Sequence, residues 1–133
     1  MATFRRLTPG VWVAGQIDEG DLAAARVLGV TRIINNRPDG EEHGQPDAAT
    51  MATAAHALGL DYLYAPVRGM PGAEAIEAIG SALAEETPVL IHCKSGMRST
   101  VAWAIAASRA GQSRETIVST AADAGFDLSG IPF

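Results

Sequence analysis

The sequence predicts an α/β fold organised as one domain over residues 1–133, on three observations. The chain is long enough to bury a core without disulfides or metal. Its 47% hydrophobic and 19% charged composition is that of a globular protein. Apolar runs of strand length alternate along it with segments of helical periodicity. The net charge of −5 is spread out, and the ten basic residues form no stripe fit to neutralise a phosphate backbone, which argues against a nucleic-acid partner. One cysteine excludes an internal disulfide, and Met1, Ala2, Thr3, Phe4, Arg5 and Arg6 offer no apolar stretch for a leader or membrane span. The expected compartment is therefore the cytoplasm, with no membrane partner.

Residues 4–7 and 11–14 read as a short hairpin across Thr8, Pro9 and Gly10. Asp18 is placed to cap a helix reaching Leu28, with Asp21 in the capping-box position and Gly29 as the stop. Residues 31–35 follow as a buried strand, then a polar loop over 36–45. Pro46 and Asp47 open a helix carrying Met51, Ala55 and Leu58 on one stripe, ended by Gly59. Residues 61–67 form the next strand. Pro71 and Gly72 open a helix whose Ile76, Ile79 and Leu83 face inward while Glu74 and Glu77 stay wet. After Pro88, the run Val89, Leu90, Ile91, His92 is too short for a helix and lacks polar alternation, so it predicts a central strand buried on both faces. A helix over 99–110, stopped by Gly111, completes the reading.

The chemistry sits between those last two elements, in Cys93, Lys94, Ser95, Gly96, Met97, Arg98 and Ser99. Successive amides of such a loop turn inward toward an anion, Gly96 permits the turn, and the helix start adds partial positive charge. The planar fork of Arg98 would grip two oxygens of a tetrahedral anion, and Lys94, the chain's one lysine, adds charge at the mouth. Cys93 at that positive end is expected to act as a thiolate nucleophile. Ser99 would hydrogen-bond the thiolate or the leaving atom. Arg37, past the end of a predicted strand, would add a second cation to the pocket. No pair among His43, His56 and His92 has metal-ligand spacing, so neither a metal nor a cofactor is expected. Trp103, Tyr62 and Tyr64 read as packing residues.

The loop resembles those of two enzyme groups, the cysteine-dependent protein phosphatases and the rhodanese sulfurtransferases. Phosphatase loops of this kind carry five residues between cysteine and arginine; here there are four, the shorter spacing typical of rhodanese-like loops. Residues 33–41 (Ile-Ile-Asn-Asn-Arg-Pro-Asp-Gly-Glu), the 93–99 loop and the closing segment 124–130 together resemble the phosphatase-like domain of beta-lactamase-hydrolase-like proteins. That resemblance implies a dual-specificity-phosphatase-like fold, a mainly parallel four-stranded sheet with helices on both faces. It also implies a general-acid aspartate on the loop after strand 61–67, where this chain has Arg68, Gly69, Met70, Pro71 and Gly72 instead. Asp39 or Glu41 would replace that acid only if their loop folds over the site. Because sulfite leaves thiosulfate without needing a proton, the leading expectation is sulfur transfer from a donor such as thiosulfate through a Cys93 persulfide. The alternative is phosphomonoester hydrolysis through a phosphocysteine, and a third reading is a silent module that binds anions or a phosphorylated partner. In each case the partner is a small anionic group.

Overall fold

The computed structural model describes residues 2–133. Its ten elements are β1 (Arg5–Thr8), β2 (Val11–Ala14), α1 (Glu19–Val27), β3 (Arg32–Asn35), α2 (Ala48–Ala57), β4 (Asp61–Tyr64), α3 (Ala73–Ala84), β5 (Val89–His92), α4 (Met97–Arg109) and α5 (Arg114–Asp123). The strands form one sheet in the order β1-β2-β5-β3-β4. The expected N-terminal hairpin forms one edge of that sheet. Its second strand pairs in parallel with β5, Val11 opposite Val89 through Ala14 opposite His92, so the sheet has five strands rather than four. β1 alone runs antiparallel.

Strand alternation explains the layers. Val11, Val13, Ile34, Val89 and Ile91 point into a core shared with α3, α4 and α5, whereas Ile33 and Leu90 meet Leu22 and Ala25 of α1 and Met51 and Ala55 of α2. All four residues of β5 are buried, as expected of a strand covered on both faces. Local signals place the helix starts. The Asp18–Asp21 capping box forms as read, Asp47 accepts from the Thr50 amide at 2.7 Å, and Ser113 caps α5, a helix not assigned from sequence. The regular β4 ladder stops at Tyr64 rather than reaching residue 67: Ala65 and Val67 still donate, but to the consecutive carbonyls of Asn35 and Asn36, which breaks the two-residue register.

His92 is fully buried at the end of the central strand, and among the described residues neither ring nitrogen has a hydrogen-bond partner. Burial pushes its pKa from 6.5 down to about 4, so the folded protein holds it neutral. As pH falls from 6.5 toward 4, the unfolded chain takes up this proton and the folded chain does not. Stability therefore falls through that window by up to about 1.4 kcal/mol per pH unit. Denaturant unfolding of His92→Leu beside the parent is expected to show this slope reduced in the variant. Equal slopes would mean that the ring is protonated in the folded state.

Candidate active site

The loop after β5 is gripped by the strands on either side. Cys93 donates its amide to the Ala14 carbonyl at 3.3 Å, and the Lys94 carbonyl accepts from the Gln16 amide at 3.0 Å. The His92 carbonyl accepts from the Asn36 amide at 2.8 Å. Gly15 lies so close to the loop that a Cβ there would fall 2.7 Å from the Lys94 oxygen. The approach is open to glycine alone without a shift in backbone.

Gly96 caps α4 with φ +96°, and its amide donates to Cys93 Sγ at 3.1 Å. The thiol is fully buried at the base of the loop, with its sulfur accepting this N–H. A Cβ on Gly96 would stand 2.9 Å from the Phe126 ring and 3.3 Å from Val13. Gly96→Ala is accordingly expected to cost roughly 1–3 kcal/mol from the left-handed backbone alone, and to displace the amide that faces the sulfur. Thermal unfolding and anion binding measured on the variant would check both. The helix begins at Met97, two residues before the expected start, which puts Arg98 in its first turn.

Arg98 is held end-on by a carboxylate. Its Nη1 donates to Glu41 Oε2 at 2.8 Å and to the Val67 carbonyl at 2.9 Å, and its Nη2 donates to Glu41 Oε1 at 2.8 Å. Of the five donors of a guanidinium, this leaves Nε–H and one Nη2–H, which lie side by side on one edge. The end of the fork expected to take the anion belongs to Glu41. The lateral edge is what remains for an anion.

Glu41 also accepts from Arg37 Nε at 3.0 Å. The hydrogen bonds of Arg98, then of Arg37, hold its carboxyl far below 4.5, at about 2. It is ionised throughout the neutral range and is not a proton donor. Asp39 Oδ1 accepts the Ala48 amide at 2.9 Å, which turns that carboxyl toward the start of α2. Nor is Arg37 a free second cation. It is buried, and its Nη1 and Nη2 also donate to Gln16 Oε1 at 3.1 Å and Glu42 Oε1 at 3.2 Å. Lys94 pairs with Glu42 at 2.8 Å, both side chains more than half exposed, so the pair adds little energy. Ser95 Oγ makes only a long contact with the Met97 amide, 3.4 Å.

The Ser99 hydroxyl is directed away from the sulfur. It is fully buried and donates to Asn36 Oδ1 at 2.8 Å, while Asn36 Nδ2 donates to the Ala65 carbonyl at 2.8 Å. Thr100 Oγ1 donates to the Gly96 carbonyl at 2.8 Å. Both hydroxyls brace the loop rather than contacting the thiol. Asn36, Gln16, Tyr62 and Tyr64 went unassigned as site residues in the sequence reading, yet they shape the region. The Tyr62 hydroxyl accepts from Asn35 at 2.9 Å and that of Tyr64 from the Asp39 amide at 2.9 Å, tying the 35–39 segment to β4. Consecutive amides, Asn35 and Asn36, directly after the buried Ile33 and Ile34 are the signal available in the sequence.

Three kinds of similarity accompany this geometry. Residues 3–112 match the family of the beta-lactamase hydrolase-like protein, phosphatase-like domain. The beta-lactamase hydrolase-like protein of Agrobacterium fabrum is 38% identical over 92% of this chain, and that of Xylella fastidiosa 38% identical over 87%. The chain spans 29% and 28% of the lengths of those relatives. Among solved structures, a Neisseria meningitidis protein assigned as a phosphatase is similar at a TM-score of 0.79 and 28% identity, covering 93% of this chain and 89% of that one. Kinase associated phosphatase, solved with its catalytic-site cysteine replaced by serine, shares the fold at 0.72 and 15% identity, covering 94% and 83%. A cysteine-to-serine variant of Pseudomonas aeruginosa TpbA bound to phosphotyrosine does so at 0.67 and 16%, covering 95% and 76%. With the fold, the cysteine loop and the match over most of its length in agreement, the chain belongs to the phosphatase-like domain family of beta-lactamase hydrolase-like proteins.

Proposed function

We propose that the domain is a cysteine-dependent phosphatase-like enzyme acting on small phosphate monoesters whose leaving groups depart without a proton. The observation that carries this is Cys93 Sγ, buried beneath the loop amides with the Gly96 N–H 3.1 Å away and the open edge of Arg98 rising from the same turn. The sulfur attacks phosphorus, the S–P bond forms and the P–O bond breaks with its electrons on the leaving oxygen. Water then attacks the phosphocysteine, releasing phosphate and restoring the thiolate. Amides of the loop and Arg98 balance the charge gathering on the equatorial oxygens. The phosphatase-like family and its phosphatase-named neighbours support this reading over the sulfur transfer favoured by the sequence alone.

Proton supply restricts the substrate. Glu41 is held ionised, Asp39 is turned toward α2, and the loop at 68–72 carries no carboxylate. An alkyl ester lacking acid assistance would lose on the order of 10² to 10⁴ in rate, whereas an activated aryl ester loses far less. The same lack of acid, with the four-residue loop, favours a second reading in which Cys93 attacks the outer sulfur of thiosulfate, sulfite leaves with the S–S electrons, and an acceptor thiolate takes the sulfur from the persulfide.

Steady-state turnover of aryl phosphates of graded leaving-group acidity, beside mass spectrometry of Cys93 after thiosulfate, separates the two. Hydrolysis that rises steeply with leaving-group acidity, with no added sulfur on Cys93, is the expected result. A persulfide on Cys93 with negligible aryl phosphatase activity would replace it with sulfur transfer. Anion binding with neither reaction would leave a binding module.

A further inference from the structure

Beside the loop lies a cavity of about 340 Å³ between the N-terminal hairpin and residues 94–95. Its walls include Arg5, Gln16, Lys94, Ser95 and Phe126, with Gly15 at the floor. It abuts the anion loop directly, through the Gln16 amide on the Lys94 carbonyl and the Phe126 ring beneath Gly96.

Its cations are partnered differently from those beside Glu41. There Arg37 and Arg98, with Lys94 at the boundary, each bond a carboxylate, three cations sharing Glu41 and Glu42. No carboxylate lines this cavity, and Arg5 forms no ion pair among the described residues. Asp18 and Asp21, in the adjoining cleft, are committed to amides: Asp21 accepts from Ala2 and Asp18, and Asp18 accepts from Asp21. Arg5 is exposed and tethered at one end. Its Nη1 donates to the Ala124 carbonyl at 3.3 Å, and the guanidinium sits over Gly125, where a Cβ would meet Nη1 at 3.1 Å. An anchored guanidinium with spare planar donors and one uncompensated charge matches a carboxylate in shape and charge. The Phe126 ring offers an apolar wall for what links that carboxylate to the reacting group.

We propose that the substrate carries a carboxylate, bound in this cavity by Arg5 while its tetrahedral anion occupies the 93–99 loop. The inference rests on the reading of that loop as the anion site, and binding measurements separate the two. Calorimetric titration of the chain with phenylphosphonate and with 3- and 4-carboxyphenylphosphonate tests it. At least one carboxylated probe is expected to bind about tenfold or more tighter than phenylphosphonate, as a charge-assisted pair would give. Arg5→Gln is expected to remove that gain and leave phenylphosphonate affinity unchanged. NMR shifts in the parent give a readout independent of the variant's folding: the Arg5 guanidinium N–H responds to the carboxylated probe and not to phenylphosphonate. If neither carboxylated probe gains affinity while phenylphosphonate binds, the carboxylate subsite is overturned and the loop reading stands. If phenylphosphonate does not bind, the loop reading fails, and the subsite with it.

Discussion

Cys93→Ser is expected to reduce aryl phosphate turnover by at least about 10³-fold, to the level of the uncatalysed reaction, without unfolding the protein. The sulfur is wholly buried and engaged with the Gly96 amide, and serine fits the same space with a hydroxyl able to accept the same hydrogen bond. It keeps its proton at neutral pH, so the site retains an anion cradle and loses its nucleophile. Turnover, phosphate affinity and thermal unfolding measured together distinguish this from collapse of the loop. Binding and unfolding are expected to match the parent while rate disappears. Residual turnover within tenfold of the parent would show that the chemistry runs through another group.

Arg98→Lys carries the second largest effect, a loss of about 10² to 10³ in kcat/KM, the scale of losing a donor to developing charge. Lysine keeps the charge but has three donors on a tetrahedral nitrogen. Arg98 makes two bonds to Glu41 and one to Val67 while still presenting an edge to the anion, and no ammonium satisfies all of these at once. Glu41→Gln is the companion variant. It retains shape but removes the charge that orients the guanidinium, and a smaller loss is expected because the arginine remains. In the parent, stability from this ion pair is present above the ordinary glutamate value of 4.5 and is lost as pH falls toward about 2. Glu41 accordingly contributes no descending limb to the activity profile near neutral pH. Unchanged kcat/KM in Arg98→Lys would mean that the lateral edge of the guanidinium does not meet the substrate.

What the sequence by itself determined was local. A capping aspartate three residues before its partner, a stripe of Ile76 and Ile79, and a three-residue apolar run leading into His-Cys each act within a turn or a strand, so spacing along the chain reveals them. The cysteine loop was legible for the same reason, because its amides, glycine and arginine are neighbours in sequence. The partners of those groups were decided by tertiary structure. Arg98 meets Glu41 across 57 positions and Ser99 meets Asn36 across 63, pairings that exist because parallel strands bring β3 and β5 to one sheet edge. That edge turned a supposed acid into an ionised clamp, a supposed catalytic hydroxyl into a brace and a supposed anion-gripping fork into a half-filled one. Each of these side chains has several possible partners of equal chemical merit, and only the packing of distant segments selects among them.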